Sequence, residues 1–230
     1  MKVLTQNYTD IATLSATNID ASYPLANLKH PFMKKIWKGT TSSESVTIDF
    51  GSARSVNSVY IGLTNATVLS VTLYNEYDSV LYTTGINATS KRATFSTVVG
   101  VRYAIVYFTA TDVVYCGNIG IGFAHTMPDP LNDVLKGYKD NSRRVETDDG
   151  QVMIHKSAWL RTIEPAFFVE SRDAYNIWYG LFADVERPIW VDPFENTVDA
   201  INPIYGVVEF VPDSKDDRIY NFHLKITEAR

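Results

Sequence analysis

Residues able to do chemistry are few in this chain and lie far apart. The histidines, His30, His125, His155 and His223, fall in separate segments. Neither an HExxH helix nor an HxH pair occurs, so closely spaced imidazoles offer no metal template. Cys116 is the only cysteine, which excludes an internal disulfide, a cysteine-based zinc site and a CxxC redox pair. It lies in the apolar run Val113-Val114-Tyr115-Cys116-Gly117, the setting of a small buried core residue. Asp148/Asp149 and Asp216/Asp217 are adjacent carboxylates in turn-like stretches. Glycosidic chemistry needs two carboxyls held across a cleft at roughly 5–10 Å, which turn neighbours do not supply. Asp148-Asp149 also lacks the alternate ligand spacing of a calcium loop. No P-loop, nucleophile elbow or kinase signature appears. The expectation is a protein without catalysis, cofactor or metal.

What the sequence does offer is binding surface. Aromatic residues make up 13% of the chain, with Tyr 14 and Trp 4. Tyr and Trp pair a flat apolar face with a polar handle, which suits sugar stacking or protein contacts. Trp37, beside Lys38 and the polar loop Thr40-Thr41-Ser42-Ser43, is the best surface candidate. Lys29, His30, Lys34 and Lys35 form a short interrupted basic cluster. It reads as a solvated loop face, or as a contact to an acidic neighbour or an anionic glycan.

The elements that must position these residues are mostly strands. Met1 to Ala16 reads as a flexible start followed by a first strand over Ile11–Ala16, where the pattern alternates. Tyr23 to Gly51 organises the rest. Pro24 and Pro31 remove backbone donors and fix φ, so the segment is irregular as far as Trp37. Val46–Phe50 then alternates as a half-buried strand, and Gly51 ends it where a positive φ is permitted. Further strands are expected at Ser55–Ile61, Val68–Tyr74, Val80–Tyr82, Arg92–Ser96, Tyr103–Thr109 and Tyr115–Phe123. They are short, rich in Val, Ile, Tyr and Thr, and separated by turn residues, as in a sandwich or barrel. Tyr103–Phe108 is nearly continuous apolar, predicting a strand buried on both faces. Gly117, Gly120 and Gly122 stand between large apolar residues. Their GxxG spacing precedes no helix, so a dinucleotide site is rejected, and bulges or close backbone approach are predicted.

Ala124 to Asn141 breaks this pattern with Pro128 and Pro130 and a single helical turn over Leu131–Leu135. The predicted organisation is a β-sandwich over 1–125, a linker over 126–141 and a small α+β domain over 142–230. In the last, Asp148-Asp149-Gly150 predicts a hairpin turn, and Pro165 interrupts a strand over Trp159–Val169. Ser171 caps a helix to Val185, with Ala174, Trp178, Leu181, Phe182 and Val185 on one stripe. Strands follow at Pro188–Pro193, Ile204–Val211 and Arg218–Thr227, the last two joined by a turn over Pro212–Asp217.

Taken together, Pro24, Asn27-Leu28, Trp37, the Ser/Thr loop and Ile48-Asp49-Phe50-Gly51 resemble the opening of the discoidin-like, galactose-binding-like β-sandwich. Val56 to Asn65 is similar to that family's second core strand. The form with Ala26-Asn27-Leu28 before the tryptophan resembles domains of bacteriophage tail proteins. The resemblance implies a jelly-roll β-sandwich in a mainly β chain, with ligands at the loops of one end. The lead-in and the Thr64–Thr67 loop would stand there, which makes Trp37, Lys38 and Asn65 the candidate ligand residues. The tryptophan at this place in the family is often a packing residue. The second half resembles small tail and baseplate domains in order and texture.

The implied function is a non-enzymatic structural component of a phage tail tip or baseplate, assembling with other tail proteins, in a homo-oligomeric ring. The alternative is a carbohydrate-binding module that attaches the virion to host surface glycans. Either would be made in the host cytoplasm and reside in the virion. Composition accords with a globular chain: 230 residues, 45% hydrophobic, 20% charged, net charge −5. An acidic chain argues against a nucleic-acid partner. No apolar run reaches membrane-spanning length, and MKVLTQNYTD carries no signal-peptide core.

Overall fold

The computed structural model describes residues 1–128, 135–139, 143–146, 152–155, 160–169, 171–183, 187–192, 203–216 and 219–229. In chain order the early strands are β1 (Lys2–Asn7), β2 (Thr13–Ala16), β3 (Trp37–Lys38), β4 (Ser43–Ile61), β5 (Val68–Tyr74) and β6 (Val80–Gly85). They are followed by β7 (Arg92–Thr109), β8 (Tyr115–Cys116), β9 (Ile119–Thr126), β10 (Leu135–Lys139), β11 (Arg143–Glu146) and β12 (Val152–His155). The chain continues with β13 (Leu160–Glu164), β14 (Ala166–Val169), α1 (Arg172–Ala183), β15 (Ile189–Asp192), β16 (Ile204–Asp216) and β17 (Ile219–Glu228). The protein is mainly β, with one α-helix among the described residues. It divides into two units, Met1–Met127 with Ile189–Tyr205, and Pro128–Pro188 with Gly206–Arg230.

The first unit is built on two long strands, each folded over at a glycine. β4 and β7 pair antiparallel from Ser43↔Thr109 to Asp49↔Tyr103, and again from Arg54↔Val101 to Tyr60↔Arg92. The register breaks between, where Gly51 (φ +75°) and Gly100 (φ +77°) adopt left-handed backbone that disfavours other residues. Before the break, β4 and β7 lie between β2 and the β5–β6 hairpin. After it, β4 pairs with β9, β9 with β1, and β1 with β15. The two halves form the two layers of a β-sandwich. Val46, Ile48, Phe50, Leu69, Val71, Leu73, Val106 and Phe108 face Val56, Ile61, Val101, Ile119 and Ile121 in one buried core. Alternation in β4 and β5 places these side chains inward, as the period of two requires.

Several sequence expectations change here. The flexible start is strand β1, with Val3 and Leu4 wholly buried; its apolar pair was too short to register as a period. Val46–Phe50 and Ser55–Ile61 are one strand, as are Arg92–Ser96 and Tyr103–Thr109, because Gly51 and Gly100 bend the pairing without ending it. Tyr103–Phe108 is not buried on both faces. Ala104, Val106 and Phe108 point inward, whereas Tyr107 is exposed. Close approach at the glycines is present. A Cβ on Gly120 would overlap the Trp190 ring, and one on Gly122 the Gln6 carbonyl. The return of Ile189–Asp192 beside β1 brings Trp190 onto Tyr60, rings stacked at 5.6 Å, and a buried Arg92–Asp192 ion pair secures it.

The second unit holds a sheet in the order β10, β13, β17, β16, with β14 also on β17. Leu135–Lys139, inside the span read as a linker, is a strand of this sheet. Pro165 separates β13 from β14, and its carbonyl still accepts Leu224 N at 3.1 Å. Ser171 caps α1, accepting Ala174 N at Oγ (3.1 Å). Phe182 is buried on the predicted stripe, and Tyr175 and Tyr179 set their edges on Phe210. β16 runs on to Asp216, through most of the expected turn, and pairs Asp216 with Ile219. β11 pairs with β12 as a hairpin. Asp148-Asp149-Gly150, the helical turn at 131–134 and Val185 lie outside the described residues.

Candidate ligand-binding surface

Both ends of β4 come back to one segment, residues 110–118, and this defines a loop end of the first unit. Gly39 N donates to Val114 O (3.0 Å) and Ala110 N to Ser42 O (2.9 Å) at the start of β4. At its end Gly62 N donates to Asn118 O (2.7 Å) and Gly117 N to Leu63 O (2.8 Å). The corner at Gly51 and Gly100 lies at the opposite end.

The residues singled out in the sequence do meet here, around β8. Trp37 pairs with Cys116 and Lys38 with Tyr115. Asn65 Nδ2 donates to Val113 O (2.9 Å), and its Oδ1 accepts Tyr115 N (3.0 Å). Their environments differ from the expectation. Trp37 is 0% exposed, packed on Phe108 at 5.8 Å between centroids, and its Nε1 has no hydrogen-bond partner among the described residues. It is a packing residue with no face for a ligand, its indole turned into the core cluster from β3. Asn65 has both amide ends engaged in holding the 113–115 backbone. Lys38 is half-buried, with Nζ 5.7 Å from the Tyr23 ring centroid, a cation–π contact. Cys116 is buried, and burial pushes its thiol up to about 12, far from a nucleophile's range.

Large apolar side chains that face solvent at this end include Tyr23 (40% exposed), Phe32 (53%) and Leu63 (48%). Their loops are pinned. Asn118, itself buried, donates from Nδ2 to His30 O (3.4 Å) and accepts Trp190 Nε1 at Oδ1 (3.2 Å). His30 Nδ1 accepts Phe32 N (3.1 Å), and the two rings lie 5.3 Å apart. Asn27 Nδ2 donates to Ile36 O (2.8 Å), and Thr64 Oγ1 to Tyr115 O (2.6 Å). Tyr23 is fixed by two backbone bonds, donating from N to Asp20 O (2.9 Å) and accepting Lys38 N at its carbonyl (3.3 Å). Beneath the polar loop, buried Glu44 accepts from Thr17 Oγ1 (2.6 Å), Thr40 N (3.0 Å) and Thr41 N (2.8 Å). Burial pushes the Glu44 carboxyl up, but these donors together hold it below its ordinary value.

This arrangement can present apolar rings and hydrogen-bonding groups in fixed positions; it assembles no acid–base pair. Among the described residues no group of His, Cys, Asp or Glu is arranged to hold a metal ion. No described helix is long and apolar enough to cross a membrane. Sequence reasoning missed Tyr23, Phe32, Asn118 and Glu44. Tyr23 and Phe32 sit beside prolines in the irregular lead-in, a signal of aromatic display on a stiff loop. Nothing in the sequence marks Asn118 or Glu44.

No protein-family model and no curated protein matches the sequence. Solved structures similar to the chain include chitosan-binding module 1 of the chitosanase/glucanase of Paenibacillus sp. IK-5. It shares 15% identity over 51% of this chain and 99% of the module, with a TM-score of 0.44. The lectin domain of lectinolysin, solved with the Lewis b antigen, gives 11% identity, 51% and 96% coverage and a TM-score of 0.43. A fucose-binding module of Streptococcus pneumoniae gives 12%, 51%, 94% and 0.41. The likeness spans about half of this chain, and the ligands in those names belong to those proteins.

Proposed function

We propose that the first unit is a carbohydrate-binding module that takes a host surface glycan at its loop end. The observation that carries this is the exposure of Tyr23, Phe32 and Leu63 on loops held by buried Asn118 and by the backbone bonds of Tyr23 to Asp20 and Lys38. A sugar ring presents a C–H face that stacks on an aromatic plane, while its hydroxyls seek fixed polar partners such as the Lys38 ammonium. Loops ordered before binding reduce the entropic cost of capture. The three modules named above are, by their names, carbohydrate binders; the proposal for this chain rests on its own loop end. It involves no bond-making or bond-breaking step.

The test is a glycan array with the intact chain and with Tyr23→Ala and Phe32→Ala. Saturable binding that falls at least tenfold in each variant, with unchanged melting temperature, is the expected result. Binding indifferent to both changes contradicts the site.

A second reading places the protein in a phage tail, assembling through protein contacts in a ring. The sequence resemblance motivates it, and Ile177, exposed on α1, offers it an apolar contact. Light scattering of the purified chain tests it: a closed ring supports it, and a monomer at all concentrations opposes it.

A further inference from the structure

The loop end carries a charge imbalance that narrows its ligand. Between Asp20 and Glu44 the sequence contains no carboxylate, yet it holds Lys29, His30, Lys34, Lys35 and Lys38, in a chain of net charge −5. The two bracketing acids are engaged. Asp20 Oδ1 accepts Ser22 N (2.9 Å), and Glu44 is buried among its donors. Asp112, on the facing loop, accepts Val113 N (2.7 Å). Among the bases, Lys29 Nζ is committed to the Ala12 carbonyl and Lys38 lies over Tyr23. Lys34 and Lys35 are exposed on the same loop as Phe32.

We propose that this surface selects acidic glycans, sugars carrying a carboxylate or sulfate, with Lys34 and Lys35 receiving the anion beside the stacking rings. The proposal rests on the glycan-binding reading of the same site. Exposed lysines contribute through long-range attraction and flexible pairing, so the anion sets affinity and on-rate while the rings set register. His30 supplies an internal reporter. Desolvation and the nearby Lys35 ammonium lower its pKa, and an anion arriving beside Lys35 would raise it again.

Calorimetry of the intact chain with oligogalacturonate, a sulfated oligosaccharide and a neutral galacto-oligosaccharide tests this. The expected outcome is binding to at least one acidic probe, weakened roughly tenfold in the double variant Lys34→Glu/Lys35→Glu. That binding weakens with added salt and is lost in Tyr23→Ala, and the His30 resonance titrates at higher pH in the complex. The carboxylated and sulfated arms show which anion is preferred. Neutral probe bound as well as acidic, with no effect of the lysine changes, overturns the charge proposal and leaves the glycan site standing. Acidic probe bound regardless of Tyr23 means diffuse polyanion attraction and also overturns it. Binding of no probe at all removes both readings.

Discussion

At the scale of single residues, burial separates packing from display. Trp37 and Tyr23 are both aromatic and lie within fifteen residues of each other, but only Tyr23 meets solvent. Replacing Trp37 by alanine removes a fully buried indole and is expected to cost about 3–5 kcal/mol of stability, seen as a lowered denaturation midpoint. Tyr23→Ala should move that midpoint little, because the ring is partly exposed. Glu44 supplies a pH-dependent term. Its folded pKa lies below its unfolded value, so its contribution is present above the unfolded pKa and is lost as pH falls through the folded one. Glu44→Gln should therefore shrink the drop in melting temperature between neutral and acidic pH. A drop as large as in the parent chain would refute that role. Cys116, with its thiol at about 12, should resist thiol reagents at neutral pH until the chain is unfolded.

At the scale of elements, the two glycine corners decide the architecture. β4 and β7 are partners on both sides of the bend, where Gly51 and Gly100 take left-handed backbone together. A Cβ at either position meets nothing within 4 Å, so alanine there tests conformation alone. Each substitution should destabilise by about 1–2 kcal/mol, and a neutral result would mean the corner does not need that backbone. This is also where the sequence was hardest to interpret. Alternation in Val46–Phe50 and Val68–Tyr74 was visible because one face is buried. Whether Gly51 ends a strand or bends it depends on a partner residue far along the chain. α1 was legible for the opposite reason: its cap and stripe are local.

At the scale of the molecule, the same limit explains what was read and what was not. The mainly β character and the gathering of Trp37, Lys38 and Asn65 at one end followed from strand pattern and family resemblance. The return of Ile189–Asp192 to β1 did not, since a four-residue apolar strand carries no information about its partner. Trp190 is buried in the first unit, stacked on Tyr60 and paired with Leu4, and buried Val191 pairs with Val3. A chain ended at Met127 should therefore be markedly less soluble than the full chain, as measured by soluble yield. Equal yield would show that β15 is dispensable.

The central claim is that the loop end, and no other surface, meets a glycan. Amide chemical-shift mapping of the labelled full chain, titrated with the oligosaccharides that score on the array, tests it most directly. Saturable shifts at Tyr23, Phe32, Lys38 and Leu63, with Gly51 and Gly100 unmoved, are the expected result. Shifts centred on the glycine corner, or none with any sugar, would contradict it.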